Sequence, residues 1–244
     1  MNRRNALLTV LLVGWLAFWP LAGLAAEAGK VIAVRGSVTA STPDGQLREL
    51  KRGDDVFAGE TIATGGASFV RLKFTDGGAM YLRAGSRFVI EDYTFEEKEK
   101  PNKSNFNLLR GGFRAVTGAI GREDQRAYAV RTPVSTIGIR GTDYQVRLCL
   151  GDCLDLASQG LPVPNDGLYT ATYEGATVID GVQIGPNQFS FTAPGGQTFL
   201  LNIAPDVLKI EILPEPDPPE QEGGVEGEFD IPAQQRTVVL ECPL

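Results

Sequence analysis

The chain contains no histidine, and only three cysteines, two methionines and two tryptophans among 244 residues. The first absence removes every Ser-His and Cys-His nucleophile and every metal site that uses imidazole. Cys149, Cys153 and Cys242 lack the four-ligand spacing of a structural zinc site. The acidic stretch "GDDVFAGE" lacks the carboxylate periodicity of a calcium-binding EF-hand loop. No metal or other cofactor is therefore expected. Positive charge is also scarce, with 23 Lys and Arg against 30 Asp and Glu, a formal net charge of −7. That balance disfavours nucleic acid as a partner, since phosphates call for surplus Lys and Arg. No long apolar run follows residue 26, so a multi-spanning membrane protein is not expected.

What is present begins with a leader. Residues 1–26 pass from Arg3 and Arg4 through the apolar Ala6–Phe18 to Pro20, Gly23 and small alanines. This is the charged, apolar, small-residue order of a secretory signal peptide. Cleavage after Ala25, Ala26 or Ala28 would leave about 218 residues and, by removing Arg3 and Arg4, shift the net charge from −7 to −9. The alternative is a retained anchor, because Ala6–Leu24 is nearly long enough to cross a bilayer. Either way the expected location is export, periplasmic or cell-envelope associated, in a Gram-negative-type bacterium. In that oxidising setting Cys149 and Cys153, with three residues between them, are expected to bond across a short turn. Free thiols and a metal are the alternatives. Cys242 is then free or intermolecular.

Most of the remaining chain reads in twos. Val70, Leu72 and Phe74 alternate with Phe69, Arg71 and Lys73, and Tyr144, Val146 and Leu148 alternate with Asp143, Gln145 and Arg147. Period two is the mark of half-buried strands, whose side chains point to opposite faces in turn. The stretches "TPDGQ" (Thr42–Gln46) and "TDGGA" (Thr75–Ala79) offer Asp-Gly between such runs, a hairpin signal. No helical stripe is convincing after residue 30. The fold class is all-β: a curved roll or sandwich of many short strands over residues 30–204. Residues 205–244 are expected to be a tail, since Glu211–Asp230 holds eight acids, four prolines and no base.

Four segments in order carry a family resemblance. They are "VIAVRGSVTA", "LKRGDDVFAGETIATGGASFVRLKFTDGGAMYLRAGSRFVIEDY", "FNLLRGGFRAVTG" and "YAVRTPVSTIGIRGTDYQVRLC". Together, over Val31–Cys149, they resemble the FecR domain family. The most specific part is Thr132 and Pro133 followed by Gly138, Ile139, Arg140, Gly141 and Thr142. Gly167–Phe191 is similar to the strand-glycine-strand continuation that often follows. The resemblance implies an envelope sensing domain, since the family's namesake pairs a periplasmic domain with a cytoplasmic segment that acts on a sigma factor. Only Met1–Asn5 precede the apolar run here, so no such segment is expected in this chain.

Candidate sites are of three kinds. Asp54, Asp55, Asp76, Glu91, Asp92 and Asp143 supply carboxylates for a glycosidase-like pair. Acids beside glycine are, however, ordinary turn residues. From Arg110 to Arg147 stand seven arginines, no lysine and three acids. Arg110, Arg114, Arg122, Arg126, Arg131 and Arg147 are thus a candidate anionic-ligand surface, suited to forked hydrogen bonding. Local pairing and docking of the acidic tail are the competing readings. Arg140 is expected to clamp a glycine corner through its five donors. The function expected is a non-catalytic exported module binding an envelope protein or polysaccharide. The alternatives are a secreted carbohydrate-active enzyme with paired carboxylates, and a sensor whose output lies in a partner chain.

Overall fold

The structure is a computed structural model that describes residues 26–98, 101–154 and 156–209. The leader up to Ala25, Cys242 and the acidic stretch from Glu211 lie outside the described residues. The fold is all-β: fifteen strands hydrogen-bond into one strongly curved mixed sheet.

The first half runs β1 (Glu27–Arg35), β2 (Val38–Ser41), β3 (Leu47–Glu49), β4 (Asp55–Phe57), β5 (Thr61–Thr64), β6 (Phe69–Phe74), β7 (Ala79–Leu82) and β8 (Arg87–Thr94). Both Asp-Gly stretches turn tight hairpins, β2 to β3 and β6 to β7. The long β9 (Lys103–Val116) follows, then α1 (Ala119–Glu123) and β10 (Tyr128–Arg131). Next come the equally long β11 (Thr136–Cys149) and β12 (Gly167–Ile179), and then β13 (Val182–Ile184), β14 (Gln188–Ala193), β15 (Gln197–Leu201) and α2 (Asp206–Lys209).

Strand β9 makes the curvature possible. It pairs antiparallel with β8 along its first half, with β7 and β11 along its second, and runs parallel to β10. The switch falls at Gly111, whose φ is +82°, where an added Cβ would sit 2.6 Å from Ser86 Cα and 2.9 Å from Gly85 O. Only glycine meets both conditions at once. Ser86 then accepts from Gly112 N and donates to Gly112 O, fastening β8 to the bend.

The concave side holds the main core, to which nearly every strand contributes alternate residues: Val70 and Leu72, Phe88 and Ile90, Phe106 and Leu108, Tyr144 and Val146. Phe106 contacts the rings of Phe74, Phe88, Tyr93 and Tyr128, which makes it the centre of an aromatic chain. A smaller cluster lies apart, formed by Cys149, Cys153, Leu156, Tyr169, Ala171, Val207 and Leu208. Its presence moves the end of the packed region. The expected tail begins at 205, yet Val207 and Leu208 of α2 are buried. Strand β1 likewise starts at Glu27, ahead of the expected residue 30.

A candidate binding face on the sheet

The signature segment folds into two corners. In the first, Thr132 Oγ1 accepts from Val134 N and Ser135 N and donates to Ser135 O, closing the turn that Pro133 occupies. Ser135 Oγ donates to Asp180 Oδ1 at 2.6 Å, tying this turn to the β12–β13 hairpin. The second corner is a bulge in β11, where the register with β12 slips between Arg140 and Asp143. Gly141 has φ of +57°, and a Cβ on the facing Gly175 would come 2.1 Å from Gly141 O. Thr142 holds this corner: Oγ1 accepts from Arg140 N and donates to Ala176 O. Thr142 N donates in turn to Thr117 Oγ1.

The expected guanidinium clamp is therefore not what holds the corner. Arg140 lies on the exposed side of β11, opposite Ala176, while the buried Thr142 hydroxyl does the fastening. The reason is the alternation itself: Ile139 points into the core, so Arg140 points out. Gly138 meets nothing closer than 3.8 Å and has no left-handed φ, so it is not a constrained glycine.

The six other arginines divide among five elements and have local partners. Arg110 donates to Asp152 at 2.9 Å, Arg122 to Thr117 O at 3.0 Å, and Arg131 to Glu91. Arg126 stands beside Asp124, its side chain 94% exposed. Arg114 forks onto Asp143 at 2.9 and 2.8 Å and lies over the Tyr173 ring, 4.4 Å from its centroid. Arg147 is buried, its Nε 3.2 Å from Sγ of Cys153, which is bonded to Cys149. Of the six, only Arg114 and Arg147 are in register on the convex side of the same β9–β11 pair. Density along the chain has not become one surface.

The carboxylates are likewise engaged. Asp54 accepts from Lys51 N, Asp55 from Lys30, Glu91 from Asn107 and Arg131, and Asp92 pairs with Lys103 at 2.6 Å. Buried Asp76 accepts from Gly78 N at 2.9 Å and Ile120 N at 3.3 Å, which seats α1 on the β6–β7 hairpin. Among the described residues no three His, Cys, Asp or Glu side chains gather as metal ligands.

A different group does share a face. Register places Arg35 opposite Phe69, Ala33 opposite Arg71 and Lys30 opposite Lys73, while β7 sets Tyr81 opposite Arg71. On β9, Arg114 is opposite Tyr81. All these side chains point away from the core that Val70, Leu72 and Phe74 enter. The rings of Phe69 and Tyr81 meet at 5.3 Å, tilted by 34°. Arg35 and Lys73 are exposed, and Phe69, Arg71 and Tyr81 half-buried. The signal was visible as the polar half of "FVRLKF"; Arg35 and Tyr81 join it only through strand pairing.

The described domain is thus all-β, with basic and aromatic side chains sharing one sheet face and the candidate carboxylates held in turns and ion pairs. Residues 60–153 match the family model described as "FecR protein", and the chain carries a FecR domain. Among solved structures, one described as "Cell surface anchoring domain" is similar at 39% identity, over 25% of this chain and 80% of that one, with a TM-score of 0.25. Two crystal structures of a "putative anti-sigma factor" from Parabacteroides distasonis are similar at 14% and 15% identity, with TM-scores of 0.41 and 0.42. Each aligns over 58% of this chain and 59% of its own length. No curated protein matches the chain. No helix among the described residues is long and apolar enough to cross a membrane.

Proposed function

We propose that this chain is a non-catalytic, exported FecR-domain module that binds an envelope protein or polymer through the convex face of its sheet. Residues 1–26 act as the export signal, and the packed domain is the binding unit, with sensing as its role where a partner chain supplies the output. One observation carries this reading. The carboxylates that could serve catalysis are spent on turns, caps and ion pairs, while basic and aromatic side chains line up across β1, β6, β7 and β9.

Photo-crosslinking in the intact envelope tests it, with the crosslinker at position 71 on the convex face and at position 47 on β3 as control. Capture of an envelope component from position 71 and not from 47 supports the proposal. Equal capture from both positions counts against a specific face. Turnover of a cell-wall or polysaccharide substrate, abolished by a single Asp or Glu substitution, would replace the binding module with an enzyme.

A further inference from the structure

We infer that the face formed by Arg35, Phe69, Arg71, Lys73 and Tyr81 is a binding site for an acidic polysaccharide. The inference rests on the binding-module reading and adds a site and a ligand class to it. The argument begins with charge. Of the cations on this face, Lys30 is engaged by Asp55 and Glu27, and Arg114 by Asp143. Lys73 donates to Gly77 O, a neutral group, which leaves its charge uncompensated. No carboxylate lies within ion-pair distance of Arg35, Arg71 or Lys73 among the described residues. In a chain of net charge −7 these three therefore form a local positive field.

Spacing is the second element. Arg71 and Lys73 are two residues apart on one strand, about 7 Å, and Arg35, opposite Phe69 on β1, is the diagonal neighbour of Arg71, about 8 Å away. Cations set at these intervals along an open sheet suit a polymer with one carboxylate per repeat unit. Arginine can take each carboxylate with two parallel hydrogen bonds. Beside the cations lies the Phe69–Tyr81 pair, a shallow apolar platform, with Phe69 facing Arg35 and Tyr81 facing Arg71. Sugar rings present an apolar C–H face beside polar hydroxyls, and amphipathic aromatic rings match that combination.

The alternatives fit less well. A protein partner needs an apolar interface centre of several hundred Å². Among the described residues, of the large exposed apolar side chains only Val116 borders this patch, in the row of Lys73 and Ala79. Nucleic acid, the other polyanion, is disfavoured by the exported location that the binding-module reading assigns.

The test uses the full chain with polygalacturonate as probe and uncharged dextran as control, read by titration calorimetry at two salt concentrations. The expected result is binding to polygalacturonate alone, weakened by salt. Affinity should fall at least tenfold in Arg71→Glu/Lys73→Glu, with the melting temperature retained. Phe69→Leu, which keeps an apolar group but removes the ring, should weaken binding with little effect on the salt dependence. Unchanged affinity in the double variant overturns the site, and equal binding of dextran overturns the acidic class. A DNA oligonucleotide bound as tightly through the same residues would mark a general polyanion surface and overturn the glycan assignment. Failure to bind polygalacturonate, with an envelope protein still crosslinked from position 71, sinks this inference and leaves the binding module standing.

Discussion

The N–H of Arg140 donates to Thr142 Oγ1, and that hydroxyl donates onward to Ala176 O, so one threonine joins both sides of a strand bulge. Thr142 is 2% exposed, and its loss would strand two main-chain groups away from water. Thr142→Val, which keeps the shape, should therefore cost about 1–3 kcal/mol. Arg140→Ala, on the solvent side, should stay within about 0.5 kcal/mol. Urea denaturation of the two variants separates them; equal losses, or a larger loss for Arg140→Ala, would restore the guanidinium as the clamp. The pair also shows what could be read from the chain at this scale. "GIRGT" marks a corner, and Gly141, at φ of +57°, confirms the reason for glycine there. Which side chain fastens the corner depends on strand alternation: counting outward from Ile139 puts Arg140 in solvent, and the bulge returns Thr142 to the interior. An arginine attracts attention because it has five donors, whereas one buried hydroxyl suffices here.

Among the elements, β9 and β11 matter most, and their roles were unequally legible. Alternation along "DYQVRL" predicts β11 and its faces, as "FVRLKF" does for β6, because burial of one side imposes period two whatever the partner. Partner choice is nonlocal, so β9 serving four strands, one of them parallel, could not be read from it. The same limit explains the arginines. Arg110, Arg122, Arg126 and Arg131 are close in sequence, but a bend, a short helix and a turn scatter them. Arg35 and Tyr81, far apart in sequence, converge through register on Phe69 and Arg71. At the end of β11, the Cys149–Cys153 bond closes a five-residue ring. Loop-closure entropy for so small a ring contributes only about 2 kcal/mol. Cys149→Ser/Cys153→Ser should thus remain folded but lose about that much, measured by chemical denaturation. The side chains bring a second consequence: Arg147 Nε lies 3.2 Å from Cys153 Sγ, and the small cluster with α2 packs on the same sulfurs. Hydrogen exchange in the double variant should therefore quicken first at residues 206–209, with β2 and β5 unaffected. Uniform acceleration across both regions would mean that the two clusters open as one.

At the scale of the whole molecule, the main core carries a titratable liability that acts far from neutral pH. The hydroxyls of Tyr128 and Tyr144 hydrogen-bond each other at 2.6 Å inside the aromatic chain. Burial pushes both phenols well above their ordinary pKa of about 10. For Tyr128 the Tyr144 hydrogen bond opposes that rise, and the charge of Asp76 adds to it. For Tyr144 the neighbouring Tyr128 adds to the rise. Tyr93 is raised by burial too, with the Thr75 hydrogen bond opposing. In the folded protein these groups keep their protons at a pH where the unfolded chain releases them. Above pH of about 10 the unfolded state binds fewer protons, so stability must fall as pH rises, and it is fully present below that value. The melting temperature should hold from about pH 8 to 9.5 and then drop steeply towards pH 11. Tyr128→Phe alone should be costly at every pH, by about 1–3 kcal/mol, because it leaves the Tyr144 hydroxyl buried beside a ring. Tyr128→Phe/Tyr144→Phe removes both polar groups together, so its neutral-pH stability should lie nearer the parent's, with a shallower alkaline fall that Tyr93 sustains. A double variant that falls as steeply as the parent would show that alkaline unfolding is driven elsewhere.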